Sequence, residues 1–195
     1  QSFAVASFTR PSSTVVRQLN STERLDTLGD RLMTWLQYRN INGVQSLWVS
    51  RTVKVSSTST GIRWMEVRNM ATTPSVYQQG TYSPTAAFRW MPSLAVDKFG
   101  NMAIGYSLST AKMYPGIRYA GRLVTDPLGT LGQTEQTFFN GTGSQKGGYS
   151  RWGDYSSMSV DPVDDCTFWY TTEYYETTGN NWQTRIGSFK FPACQ

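Results

Sequence analysis

Histidine is absent from the chain, and its absence removes several kinds of catalytic chemistry. No Ser-His-Asp triad, Cys-His pair or His-ligated zinc site can be built from these residues alone. Charged residues are also scarce, at 16% of the sequence, and the net charge is only +5. The basic residues form no run, which argues against a nucleic-acid-binding surface. No apolar run reaches the length of a membrane-spanning helix.

Aromatic residues, by contrast, are plentiful. The chain has 7 Trp, 11 Tyr and 9 Phe among its 195 residues, together with many Thr, Ser and Val. These residue types fit the pleated, half-buried surface of a sheet better than a helix. A hydrophobic fraction of 38% is sufficient for a core. The composition therefore predicts an all-β protein.

A block of residues occurs three times in the chain, about sixty residues apart, which indicates a structural repeat. Each copy predicts two short strands joined by a tight polar turn, and a strand containing an arginine follows each copy. The three blocks are residues 36–44, 94–102 and 158–166, and the arginine-containing strands are 61–65, 116–120 and 183–187. A repeat of this kind, built from strands, is typical of β-propeller blades.

The repeat predicts about three four-stranded antiparallel blades plus one extra strand, forming part of a larger ring. The predicted divisions are an outer strand of a preceding blade with a linker (1–30), a first blade (31–88), a second blade (89–150), and a third blade with the C-terminal tail (151–195). The extra strand is expected at 3–8, before a polar connection at 14–30 with one helical turn near 21–24. Three blades would leave a face and edges open, so further blades are expected from a partner chain or from copies of this one.

The two cysteines, Cys166 and Cys194, both lie in the last repeat. A disulfide between them would tie the tail to the final blade and would imply an oxidising compartment, and therefore a secreted, extracellular protein. The alternative is two buried free thiols.

Three segments carry a resemblance to a known group of proteins: the long run 150–170, the turn 97–101 with Gly105-Tyr106-Ser107, and the closing segment 185–191. Over residues 24–194 the chain resembles the C-terminal part of large secreted bacterial proteins with sialidase-like propeller repeats. The resemblance implies a propeller fold and secretion, and most such proteins have no assigned activity.

Two features of true sialidases are missing. The turns at Asp97 and Asp161 depart from the Asp box Ser-x-Asp-x-Gly-x-Thr-Trp, and there is no Arg-Ile-Pro motif. A carboxylate-binding triad could be formed by one arginine from each repeat, Arg63, Arg118 and Arg185. Residues in equivalent positions of a repeat usually do the same structural work, so bracing roles for these arginines are the favoured alternative.

Without histidine, hydrolysis would need a pair of carboxyl groups, with or without a tyrosine nucleophile. Candidates gather near the C-terminus, close to Tyr155, Tyr170, Tyr174 and Tyr175. They are Asp154, Asp161, Asp164, Asp165, Glu173 and Glu176. Glu173 is the best catalytic candidate, because it ends an apolar strand where an unpaired carboxylate is costly. The alternative is an edge carboxylate paired with Arg151 or Arg185.

Asp161, Asp164 and Asp165 could gather a Ca²⁺ ion, since this cation prefers clustered carboxylate and carbonyl oxygens. The alternative is that these aspartates cap a hairpin by accepting hydrogen bonds from nearby backbone N–H groups. No other cofactor is predicted.

Trp182, in a polar loop beside asparagines, is the type of residue that forms a sugar-binding platform, and Tyr149, Arg151 and Trp152 beside the Gly-rich loop could contribute to the same site. The alternative is that these aromatic residues fold back on a blade. The favoured function is therefore an extracellular binding or structural module that contacts glycans or proteins. Two alternatives are a sialidase-like glycoside hydrolase that needs further blades and a subunit of an ordered surface assembly.

Overall fold

The structure, a computed structural model, describes residues 2–194 and is built entirely from β-strands and loops over that range. The first six strands are β1 (Thr14–Gln18), β2 (Ser21–Asp26), β3 (Met33–Ile41), β4 (Val44–Ser56), β5 (Ser59–Arg68) and β6 (Ser75–Tyr82). The others are β7 (Phe88–Val96), β8 (Met102–Thr110), β9 (Met113–Arg122), β10 (Gln133–Phe139), β11 (Ser157–Val160), β12 (Phe168–Tyr174) and β13 (Gln183–Phe189). The predicted all-β class is confirmed, and within 2–194 no helix could cross a membrane.

The strands form four antiparallel sheets in simple sequential order. The hairpin β1–β2 forms a two-stranded sheet of its own. The strand orders of the other three sheets are β3-β4-β5-β6, β7-β8-β9-β10 and β11-β12-β13. We call these the first, second and third sheets. The three repeated blocks of the sequence coincide with the first hairpin of each sheet, and the arginine-containing strands are β5, β9 and β13.

The predicted hairpin turns have the backbone geometry that their residues favour. Asn42 and Gly43 have φ angles of 52° and 83°, Gly100 has 89° and Asp165 has 53°. Glycine adopts this left-handed region freely, and Asn and Asp adopt it more readily than other residues. Turn chemistry therefore fixes where each first hairpin reverses.

Two predictions about the chain outside the three sheets are wrong. Residues 3–8 form no strand, and Thr9 makes only an isolated bridge to Lys54. The polar connection at 14–30 instead contains the hairpin β1–β2, and the predicted helical turn near 21–24 is part of β2. Val16 and Leu25, paired across this hairpin, are fully buried, and this tertiary burial overrides the polar composition of the segment. The third sheet also has three strands and not four.

The second sheet lies between the other two, and its two faces belong to different hydrophobic clusters. Five even-numbered residues of β7 and β8 pack against the first sheet, whereas Ala95 and Ala103 pack against the third; the five are Leu94, Val96, Met102, Ile104 and Tyr106. This alternation follows from the two-residue period of a strand. All nine residues of β7 are buried, and β7 contacts both the first and the third sheet. The core is therefore a continuous stack of three sheets.

The two outer faces of this stack differ. The N-terminal segment crosses the outer face of the first sheet, where the Arg51 guanidinium lies 4.0 Å from the centre of the Phe8 ring and Arg63 donates to the carbonyl of Ala6. The outer face of the third sheet carries the exposed side chains of Trp169 and Ile186. The third sheet therefore has the more open face.

A disulfide joins Cys166 and Cys194, with their Cα atoms 5.6 Å apart, as the sequence predicts. Both cysteines are fully buried, and Phe191 of the tail packs into the cluster between the second and third sheets. The C-terminal tail is thereby attached to the start of β12.

Candidate functional site

A cavity of about 580 Å³ opens beside the third sheet, at the end of β12. Three parts of the chain line it: the loop that precedes β11, the last residues of β12, and the loop between β12 and β13 together with the start of β13. The lining residues are Gln145, Tyr149, Arg151, Trp152, Gly153, Asp154, Tyr155, Ser156, Thr171, Thr172, Glu173, Tyr175, Asn180, Trp182 and Thr184. A volume of this size falls within the range of small-molecule sites.

Three aromatic side chains in this lining are largely accessible to solvent. Tyr149 is 66% exposed, Tyr155 is 91% exposed and Trp182 is 59% exposed. Aromatic rings usually bury most of their surface in a fold, so three exposed rings around one cavity indicate a contact surface.

Trp152 has a different position, because it is buried. Its ring stacks on Tyr175 with centroids 5.4 Å apart, and its indole N–H donates to the hydroxyl of Ser107 at 2.9 Å. Trp152 therefore belongs to the inner wall of the cavity and does not present a free platform.

Glu173 supplies a carboxyl group to this cavity from the outer face of β12. Its Oε2 accepts a hydrogen bond of 2.9 Å from the backbone N–H of Gly153, whose φ of 55° lies in the left-handed region. Its Oε1 is buried and has no hydrogen-bond partner. The pKa of Glu173 is raised to about 7, mainly by burial; the hydrogen bond from Gly153 lowers the pKa, and the nearby negative charge of Asp154 raises it.

Neither arginine that the sequence offered as a partner pairs with Glu173. Arg151 forms an ion pair with Asp154, three residues along the chain. The guanidinium of Arg185 lies over the ring of Phe139, 3.9 Å from its centre. Glu173 is therefore a carboxyl group without a cationic partner within the described residues.

The loop that carries the first part of the lining is held in place by hydrogen bonds. Gln145 forms an isolated parallel bridge with Gly179, and its backbone N–H donates to the side-chain oxygen of Gln18 at 2.8 Å. Its side-chain nitrogen donates to the carbonyl of Arg151 at 2.5 Å and to the hydroxyl of Tyr175 at 3.0 Å. These bonds join the loops on either side of the cavity, so the lining is pre-formed.

The structure brings the predicted ligand-binding residues Trp182, Trp152, Tyr149 and Arg151 into one cavity with the predicted catalytic residue Glu173. Sequence reasoning missed Gln145, because its position depends on contacts with residues more than a hundred positions away. The sequence identifies Tyr155 only as a neighbour of candidate carboxylates, although its place two residues after Trp-Gly in a polar segment is a usable signal for the site.

The calcium prediction at Asp161, Asp164 and Asp165 is not supported. No group of three or more acidic, histidine or cysteine side chains in residues 2–194 is arranged to hold a metal ion. The carboxylate of Asp165 instead pairs with Arg39 through two hydrogen bonds of 2.9 and 2.6 Å. Its oxygens are therefore directed to a guanidinium.

The other two aspartates stabilise the turn between β11 and β12. Asp164 accepts hydrogen bonds from the backbone N–H groups of Cys166 and Thr167 at 2.8 and 2.9 Å, and these bonds lower its pKa. Asp161 accepts from the backbone of Val163 at 2.8 Å. This is the hairpin-capping arrangement that the sequence left as the alternative.

The three arginines in equivalent repeat positions do not converge on one site. Arg63 donates to the side chain of Thr81 at 2.8 Å, and Arg118 donates to the carbonyl of Phe139 at 3.1 Å, each within its own sheet. Arg185 contacts aromatic rings. These contacts are the bracing roles expected of equivalent positions.

Comparisons of the chain with protein-family models, with curated proteins and with solved structures yield no match. The geometry of the cavity is therefore the basis for the function proposed below.

Proposed function

We propose that this protein is an extracellular binding module and that the cavity beside the third sheet binds a saccharide. The observation that carries the proposal is the combination in one cavity of three exposed aromatic rings with a buried carboxyl oxygen that lacks a partner. Ring faces cover the apolar C–H surfaces of a sugar, and polar side chains bond its hydroxyl groups.

The polar residues of the lining suit this ligand class. Asn180 and Thr184 lie near Trp182 in the same lining, and Thr171 lies beside Glu173 on the outer face of β12. Amide and hydroxyl groups both donate and accept hydrogen bonds, as sugar hydroxyls do. The mixture of ring faces and amphoteric hydrogen-bonding groups favours a polyhydroxylated ligand over a purely apolar one.

We also propose that the three sheets are blades of a β-propeller, part of a larger ring. Three stacked sheets, each with its strands in sequential order and with equivalent turns, support this proposal, in line with the resemblance to secreted proteins with sialidase-like repeats. The buried disulfide is consistent with an extracellular location. Further blades would come from a partner chain or from copies of this one.

A glycan panel with a matched pair of tryptophan variants tests saccharide binding. We expect Trp182→Ala to weaken binding by about tenfold, or about 1.4 kcal/mol, because it removes a ring face from the cavity. Trp35→Ala is the control, since Trp35 is an 86% exposed tryptophan on β3, outside the cavity lining. Absence of binding to every glycan, or equal losses in both variants, would refute the proposal.

A glycoside hydrolase is the second candidate, favoured by the two carboxyl groups of the lining. Glu173 has a pKa of about 7 and can hold a proton for a leaving-group oxygen, and Asp154 lines the same cavity. One protonated and one ionised carboxyl group are what glycosidic hydrolysis requires. Water would be the nucleophile, and a hemiacetal and an alcohol would be the products.

Turnover separates the two candidates. A hydrolase loses its rate in Glu173→Gln while it still binds the substrate, since the amide cannot donate the required proton. A binding module releases the glycan unchanged, which mass spectrometry of the incubated glycan would show.

A further inference from the structure

The charges that line the cavity do not cancel. Arg151 and Asp154 neutralise each other as an ion pair, and Glu173 has only a backbone N–H as partner. The remaining titratable groups of the lining are the phenols of Tyr149, Tyr155 and Tyr175, and β13 contributes the uncharged Thr184. When Glu173 is ionised, the cavity therefore carries one unbalanced negative charge.

Three residues of the lining have a buried side-chain oxygen without a hydrogen-bond partner: Oε1 of Glu173, Oε1 of Gln145 and the hydroxyl Oγ1 of Thr172, which can donate as well as accept. The side-chain amide of Gln145 has a defined orientation, because its nitrogen must face the carbonyl of Arg151 in order to donate to it. Its oxygen can only accept. A buried acceptor without a partner is unfavourable, so the oxygens of Glu173 and Gln145 favour a ligand that brings hydrogen-bond donors.

The exposed rings of the lining fit a positively charged donor. Tyr149, Tyr155 and Trp182 belong to the residue types whose ring faces attract an ammonium group. The attraction increases when the cation is partly removed from water, as it would be inside a cavity. The aromatic faces, the acceptor oxygens and the net negative charge of the cavity all favour an ammonium group.

We infer that the ligand of this cavity carries a protonated amine and that its saccharide ligand is an amino sugar with a free amino group. This inference rests on the proposed saccharide-binding function. An ammonium group brings three N–H donors and a positive charge to Glu173 and Gln145. N-acetylation of the same sugar removes the charge and leaves a single N–H donor. The cavity therefore discriminates between the free and the acetylated amine.

Calorimetric titration with two matched oligosaccharides tests the discrimination. Glucosamine tetrasaccharide should bind the wild-type protein about tenfold more tightly than its fully N-acetylated counterpart at pH 7, where the sugar amine and Glu173 are both partly ionised. Glu173→Gln should abolish this preference, and Trp35→Ala should retain it. Equal affinity for the two tetrasaccharides would overturn the inference and leave the saccharide proposal standing. Absence of binding by both, together with a silent glycan panel, would overturn both proposals.

A ligand with a permanent positive charge tests the ionisation of the protein alone, because its own charge does not change with pH as that of a sugar amine does. Choline should bind the wild-type protein about tenfold more tightly at pH 8 than at pH 6, since the ionised fraction of Glu173 rises through a pKa of about 7. Its neutral isostere 3,3-dimethylbutan-1-ol should show no such change, and neither should choline with Glu173→Gln. Trp182→Ala, a variant of an exposed loop residue, should weaken choline binding severalfold at both pH values. A pH-independent affinity in the wild-type protein would contradict the inference.

Discussion

Glu173 combines two properties that a structural carboxylate on a sheet rarely has together. One oxygen is fixed by the N–H of Gly153, and the other is buried without a partner. The salt-bridged carboxylate of Glu135 behaves differently. Burial alone would raise the pKa of Glu135, but hydrogen bonds from Arg89 and Tyr106 hold it below its ordinary value. The contrast places the unusual chemistry of the molecule at Glu173.

The raised pKa of Glu173 makes the stability of the fold depend on pH. The folded protein holds this proton more tightly than the unfolded chain, so the stabilisation is complete below about pH 4.5, the ordinary value, and is lost as the pH rises through about 7. We expect Glu173→Gln to gain about 1–3 kcal/mol relative to the wild type between pH 5 and pH 8. Urea unfolding of both proteins at these pH values measures the difference. If the difference in free energy of unfolding between the two proteins is the same at pH 5 and pH 8, the pKa of Glu173 is not raised by the fold.

The predictability of the site also differs from residue to residue. The sequence marks Glu173 because a carboxylate follows an apolar strand, and Trp182 because a tryptophan lies among polar loop residues. Gln145 carries no local signal, since its burial depends on Gln18 and Tyr175 from distant parts of the chain. Local chemistry therefore identifies the reactive and exposed side chains of the site but not the residues that organise it.

At the scale of the elements, the hairpins are the best-predicted parts of the fold. Turn residues with left-handed backbone, such as Asn42, Gly43 and Gly100, determine where each first hairpin reverses. The N-terminal region was predicted poorly, because residues 3–8 have the apolar pattern of a strand but contact the first sheet mainly through Phe8 and side-chain hydrogen bonds. An apolar segment forms a strand only if it can reach an unpaired edge of a β-sheet. The sequence of the segment alone does not show whether such an edge is available.

The disulfide should contribute substantially to stability, because it attaches the tail to the start of β12. The bond closes a loop between residues 28 positions apart, which corresponds to about 3.6 kcal/mol in the chain-entropy account. We expect Cys194→Ser combined with Cys166→Ser to lower the free energy of unfolding by that amount. Guanidinium unfolding of the double variant beside the oxidised wild type measures it. Equal stability of the two proteins would show that the tail docks without the bond.

At the scale of the whole molecule, the stack of three sheets is asymmetric. The N-terminal segment lies across the first sheet, whereas the third sheet leaves Trp169 and Ile186 exposed on its outer face. In a propeller, the next blade would pack against such a face. The cavity lies beside this face, so the completion of a ring would place it next to the neighbouring blade.

We therefore expect purified protein to have a native mass above that of a single chain, with a second copy covering the third sheet. Ile186→Asp should lower the native mass, because it places a charge on the exposed face without disturbing the core. Light scattering coupled to size exclusion measures both proteins. A wild-type mass of one chain would show that the three sheets are stable alone. It would also show that no second copy covers the third sheet or the cavity beside it.

We propose that this protein binds its ligand in the cavity beside the third sheet. Chemical-shift mapping on isotope-labelled protein with glucosamine tetrasaccharide locates the contact directly. We expect shifts concentrated in residues 149–155 and 180–184, including the indole N–H of Trp182, and at the backbone of Glu173. Shifts confined to the first sheet, or no shifts at saturating sugar, would contradict it.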